Sequence, residues 1–119
     1  MVKTKCIYEP LDASDGYRVL VMHYWPRGVA KDKIDAWEKE LGTPPELIER
    51  WKSKRIGWPQ FRRDYIKALK GQEDKIAELA ALAKTRTVTL LCSCKDARHC
   101  HRIILAELLE APAGSPSRR

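Results

Sequence analysis

Apolar and polar positions alternate from Val2 to Tyr8 and the alternation stops at Glu9-Pro10, ahead of the turn-rich Leu11-Asp12-Ala13-Ser14-Asp15-Gly16, which predicts a first β-strand closed by a loop. Tyr17 to Tyr24 reads as a second strand, with Tyr17, Val19, Val21 and His23 on one face and Arg18, Leu20, Met22 and Tyr24 on the other. It ends at Trp25-Pro26-Arg27-Gly28. The loop between the two strands is too short for a helical crossover, so the pair is expected to be antiparallel. From Lys31 the period becomes helical: Ile34, Trp37 and Leu41 make an apolar face and Gly42 ends it. Thr43 caps a further helix whose Pro44 and Pro45 suit a first turn and whose Leu47, Ile48 and Trp51 point inward. Gly57 breaks that helix. Trp58 to Leu69 resumes with Phe61, Tyr65, Ala68 and Leu69 buried, and a helix after Lys70-Gly71 carries Ile76, Leu79, Ala80, Leu82 and Ala83.

Arg86 to Cys92 is the plainest strand, a near-continuous apolar run rich in β-branched residues, and should lie at the centre of the sheet. A last helix from about Ala97 to Glu110, with Asp96 as N-cap, should cover it. The expected fold is therefore α/β: a small three-layer domain with a short mixed sheet of about three strands, the last central, flanked by about five helices. It occupies residues 1–110, and the Pro/Ser/Gly/Arg-rich residues 111–119 read as a disordered basic tail.

A chain of 119 residues suits one domain. With 33% charged residues and no apolar run approaching the roughly 20 residues of a membrane span, no membrane association is expected. No apolar leader follows Met1, and three of the four cysteines crowd into Cys92, Cys94 and Cys100, so a cytoplasmic protein with reduced thiols is the reading. The net charge of +7 favours anionic partners.

The chemistry concentrates between Cys92 and Arg102. Cys92 ends a buried strand, and the following helix start presents unpaired backbone N–H groups with Lys95, Arg98 and Arg102 close in sequence, conditions that depress a thiol pKa. Cys92 is thus a candidate nucleophile, with His99 or His101 as proton carrier. The spacing Cys92-x5-Arg98 resembles the loop of protein tyrosine phosphatases, although it lacks the glycines that let successive amides converge on an anion. If the second and third strands run parallel, Trp25 and Arg27 stand beside Cys92 and supply an apolar wall and a guanidinium for a small anionic ligand, phosphorylated or sulfur-containing. The bland counterpart is a Cys92 that merely finishes a core strand.

No cofactor is called for. Were a metal present, Cys92, Cys94 and Cys100 would be its thiolates with a histidine as fourth ligand, in a zinc-stabilised domain. A Cys94–Cys100 disulfide is a further alternative. The basic, aromatic stretch Arg50 to Arg63 admits nucleic acid as a partner, but at helical spacing Trp51, Trp58, Phe61 and Tyr65 face a core, leaving a solvated basic exterior.

Ile7-Tyr8-Glu9-Pro10, Asp15-Gly16-Tyr17-Arg18-Val19-Leu20-Val21, Trp25-Pro26-Arg27-Gly28-Val29, Asp35-Ala36-Trp37-Glu38-Lys39-Glu40-Leu41, Phe61-Arg62-Arg63-Asp64-Tyr65 and Val88-Thr89-Leu90-Leu91-Cys92 through Cys100-His101-Arg102 resemble the domain of unknown function 488 (YeaO-like) family. The resemblance implies a compact α/β fold and a shared site without naming a reaction. The family pattern has an Asp-Arg pair ahead of the Trp-Pro-Arg-Gly turn, where this chain reads Met22-His23-Tyr24, and often an acidic residue at the place of Cys94.

Overall fold

A computed structural model describes residues 1–94 and 99–110. Four strands, β1 (Val2–Cys6), β2 (Tyr17–Leu20), β3 (Ala36–Trp37) and β4 (Val88–Cys92), form one sheet in the order β1-β4-β2-β3. Four helices accompany them: α1 (Pro45–Lys52), α2 (Trp58–Ala68), α3 (Glu73–Thr85) and α4 (His101–Glu110). Among the described residues, no helix is long and apolar enough to cross a membrane.

The α/β class and the central last strand match the sequence reading. The mixed sheet does not, because all three strand pairings are parallel. The expected antiparallel hairpin fails because β1 and β2 never pair: β4 slots between them, taking Val2 to Cys6 on one edge and Tyr17 to Leu20 on the other. All five β4 residues are buried, and each large apolar one contributes on the order of 1.5–3 kcal/mol, which favours that strand for the centre.

The helix expected from Lys31 to Leu41 is also absent. Two short 3-10 turns, Lys31–Lys33 and Lys39–Leu41, flank β3 instead. The edge of β2 competes successfully for this segment: Asp35 N–H donates to Arg18 O (2.8 Å), Glu38 N–H to Leu20 O (2.9 Å), and the Asp35 carboxylate accepts from Arg18 N–H (2.8 Å). The supposed apolar face is thereby divided. Leu41 joins the helix-side core, Ile34 packs on the other cluster, and Trp37 stays partly exposed. The second strand likewise stops at Leu20, four residues short of expectation.

Val19, Val88 and Leu90 face a core built with Leu47, Phe61, Tyr65, Leu79, Ile104 and Leu105 from the helices. The alternate residues Leu20 and Leu91 meet Ile7, Met22, Trp25 and Val29, which come from irregular chain. The expected domain of about three strands flanked by about five helices is not what forms: among the described residues four strands carry four α-helices on one face, and irregular chain covers the other. Beneath that covering Asp15, fully buried, receives Lys3 Nζ (2.9 Å), Lys5 Nζ (3.0 Å) and Arg18 Nη1, while Thr89 Oγ1 donates to its carbonyl (2.7 Å). Burial opposes ionisation of Asp15, but the hydrogen bonds from Lys3 and Lys5 prevail and hold its carboxyl well below the usual carboxylate range. Gly16 follows at φ 63°, where a side chain would run into the carbonyl of Thr87 that accepts the Tyr17 N–H (2.9 Å).

Candidate active site

Parallel pairing brings the carboxyl ends of the strands to one edge, the usual place for a ligand in an open α/β sheet. Cys92 closes β4 there, and alternation turns it to the same side as Val88 and Leu90, under the first turn of α4. The chain returns through Cys100, whose Sγ lies 3.1 Å from Cys92 Sγ. Arg102, itself only 2% exposed, reaches from α4 to place Nη1 3.1 Å from Cys92 Sγ and 2.9 Å from the carbonyl of Cys94.

A buried guanidinium against a sulfur favours the thiolate. The hydrogen bond with Cys100 is the strongest influence, burial acts against it, and Arg102 adds its positive charge, so that the Cys92 thiol is held down to about 6. Cys100 moves the other way, because it must keep its proton to donate to Cys92 and is itself buried. Arg102's contact selects Cys92 as the ionised member of the pair. The anion gathered at the start of α4 is thus the protein's own sulfur.

His101 is the third member. Its Nε2 sits 2.5 Å from the carbonyl oxygen of Val21, which can only accept, so Nε2 carries the hydrogen and Nδ1 is left as an acceptor 3.7 Å from Cys100 Sγ. Burial pushes its pKa down to about 4, keeping the imidazole neutral near pH 7. Tyr65 backs it edge-on, at 5.4 Å between ring centroids, and donates its hydroxyl to Leu41 O (2.6 Å).

A cleft of ≈ 350 Å³ adjoins Cys92, Cys100 and His101. Its other walls include Met22, Ile48, Trp51 and Phe61, with Lys52, Thr43 and His99 supplying polar groups. Trp51 and Phe61, part of the basic aromatic stretch weighed for nucleic acid, thus wall this cleft. Among the described residues, Thr43 Oγ1 and Arg102 Nε are both buried without a hydrogen-bond partner.

The structure brings Cys92, His101 and Arg102 together, and His99 stands on the cleft wall with its ring 5.0 Å from Trp58 and 5.9 Å from Trp51. Arg27 and Trp25 do not line this cleft. Arg27 is exposed, its carbonyl accepting Tyr8 OH (2.8 Å), and Trp25 packs on the opposite sheet face with its Nε1 on Val29 O (2.9 Å). Lys95, Arg98 and the expected N-cap Asp96 lie outside the described residues. Sequence reasoning missed Thr43 and the Cys92–Cys100 pairing; the latter had a signal, since a helix folding back on its preceding strand brings its first residues under the strand's last.

All four cysteines are thiols, and Cys100 meets Cys92 where a bond to Cys94 was the alternative. Among the described residues the set able to converge on a metal is Cys92, Cys100 and His101, whose ligand atoms lie within 4.8 Å of one another. Cys94 is not in that set, so the three-thiolate arrangement is not assembled. The two sulfurs at 3.1 Å are also closer than the about 3.8 Å expected of thiolates sharing a tetrahedral zinc, and Arg102 already occupies one of them.

Fold and site together define a parallel α/β protein with a buried dithiol, imidazole and guanidinium cluster at the carboxyl edge of its sheet. Residues 2–113 match the family described as the active DUF488-N3 subclade, and the chain belongs to that family. It is 35% identical over 112 residues to "Uncharacterized protein YeaO" of Escherichia coli (strain K12), covering 92% of this chain and 97% of that protein. It is 31% identical over 110 residues to "Uncharacterized protein Rv3073c" of Mycobacterium tuberculosis (strain ATCC 25618 / H37Rv), covering 91% and 92%. No solved structure matches the chain.

Proposed function

We propose that the protein is a cytoplasmic thiol-dependent enzyme in which the Cys92 thiolate attacks an electrophilic centre on a small molecule held in the adjoining cleft. The observation that carries this reading is the Arg102 guanidinium seated on Cys92 Sγ at 3.1 Å, with Cys100 hydrogen-bonded to the same atom. Together they supply the ionised nucleophile that a thiol mechanism needs near neutral pH. Neutral His101, with Nδ1 toward Cys100, stands beside the pair as a hydrogen-bond acceptor. The aromatic and aliphatic walls admit only a small ligand to the sulfur, since Cys92 itself is 2% exposed.

Alkylation with iodoacetamide across a pH series, followed residue by residue by mass spectrometry, tests the reading. Cys92 should react with a midpoint near 6, well below an ordinary thiol. A Cys92 that stays unmodified until the pH of an ordinary thiol removes the proposal.

A further inference from the structure

Among the described residues, two side-chain donors near this site are buried without a hydrogen-bond partner: the hydroxyl of Thr43, which lines the cleft together with Cys92 and Cys100, and Nε of Arg102, whose guanidinium holds the Cys92 sulfur but does not line the cleft. Buried polar hydrogens without acceptors are rare in folded proteins, and the Thr43 hydroxyl on the wall of the cleft that holds the nucleophile marks the place of an acceptor oxygen on a ligand. The second thiol, Cys100, lies 3.1 Å from the first and needs to close by only about 1 Å to reach the S–S bond length of a disulfide. The pair is sealed from larger reagents, at 2% and 3% exposure, except through the cleft.

We infer that the electrophile is a hydroperoxide and that Cys100 is the resolving thiol, so that the protein reduces hydroperoxides through a Cys92–Cys100 disulfide. This rests on Cys92 being the nucleophile proposed above. In the first step Cys92 S⁻ attacks the terminal oxygen of the hydroperoxide; the S–O bond forms, the O–O bond breaks, and the departing alkoxide takes a proton from water to leave as an alcohol. The unpaired hydroxyl of Thr43, on the wall of the same cleft, donates to the leaving oxygen as charge moves onto it. Cys92 is now a sulfenic acid.

In the second step the Cys100 sulfur attacks Cys92 Sγ while its proton passes to the departing hydroxyl. The S–S bond forms, the S–O bond breaks, and the hydroxyl leaves as water with the Cys100 proton. One hydroperoxide has been reduced and two thiols oxidised. An external small dithiol restores both cysteines by two exchanges, itself becoming a disulfide. Loss of the Cys92 negative charge also deprives Arg102 of its counter-ion in the oxidised state, which favours return to the dithiol.

The full-length reduced protein is treated with one equivalent of hydrogen peroxide and its peptides mapped without reduction. A Cys92–Cys100 linkage with loss of two hydrogens and consumption of one peroxide per linkage is expected, and dithiothreitol should sustain repeated turnover. In Cys100→Ser the linkage is lost, and dimedone should capture a persisting sulfenic acid on Cys92. Rapid alkylation of Cys92 combined with no Cys92–Cys100 linkage, with linkage through Cys94, or with a single oxidation that dithiothreitol cannot turn over, overturns this inference and leaves the thiol-enzyme reading standing. Slow alkylation of Cys92 overturns both. The wild-type peptide map decides the matter even where the serine variant fails to fold.

Discussion

Replacing Arg102 by Met keeps most of the buried stem and deletes the two contacts that fix the guanidinium, 3.1 Å to Cys92 Sγ and 2.9 Å to Cys94 O. A hydrogen bond to a charged partner contributes about 1.5–3 kcal/mol, and each pKa unit corresponds to about 1.36 kcal/mol, so the Cys92 thiol should climb by roughly one to two units. Its starting value is about 6. Near neutral pH the alkylation rate will barely register this, because a more basic thiolate is intrinsically more nucleophilic and offsets its smaller population. The effect emerges at acid pH. At about pH 5.5 the same two factors predict a net loss of roughly three- to tenfold, together with a displaced midpoint of the rate profile. The assay is iodoacetamide alkylation of Cys92 from mildly acidic to mildly alkaline pH for both proteins. Coincident midpoints would refute the claim that Arg102 sustains the thiolate. There is a thermodynamic counterpart: a thiol depressed from 9.0 to about 6 contributes stability that is complete above the ordinary value and is lost as pH falls through the lower one, and the variant should show less of that slope.

Asp15→Asn leaves Lys3, Lys5 and Arg18 facing a neutral amide, and the loss should approach the about 3–5 kcal/mol of a broken buried pair, toward the lower figure because both lysines can turn to water. Urea denaturation measures it, and a cost under about 1 kcal/mol would show the cluster to be incidental. His101, lowered by burial from 6.5 to about 4, binds its proton more readily when unfolded, so stability should decline as pH falls across that interval. His101→Gln, which keeps a donor for Val21 O, should flatten the decline; an unchanged slope by urea titration would assign it to other groups.

Much of this molecule was legible in its residues. The runs at Trp58, Glu73 and Val88 folded as their periods indicated, and Cys92, His101 and Arg102 met where a strand end faces a helix start. Ile34, Trp37 and Leu41 misled because helical spacing says nothing of the vacant edge of β2, whose backbone groups drew Ala36–Trp37 into the sheet. The link between β1 and β2 misled differently. Its length rules out a helical crossover between neighbours but is indifferent to a third strand arriving from seventy residues further on. Arg27 followed from the same gap, since the end of β2 at Leu20 lets the intervening chain carry that residue away from the thiols. Thr43 reads in sequence as a helix cap, and only the packing shows its hydroxyl unspent.

The placement of β4 has a bearing on how the protein comes into being. Val2 meets Val88 and Tyr17 meets that same residue, so until the chain has been synthesised past position 92 β1 has no strand to bond to, β2 has only the two-residue β3, and most of the interior has no floor. Long loops must close before any reward is collected, which makes for slow, all-at-once assembly late in translation. Cutting the gene anywhere upstream of β4 should accordingly yield insoluble product, and Cys92, buried in the finished fold, stays open to solvent in every nascent chain until β4 is in place.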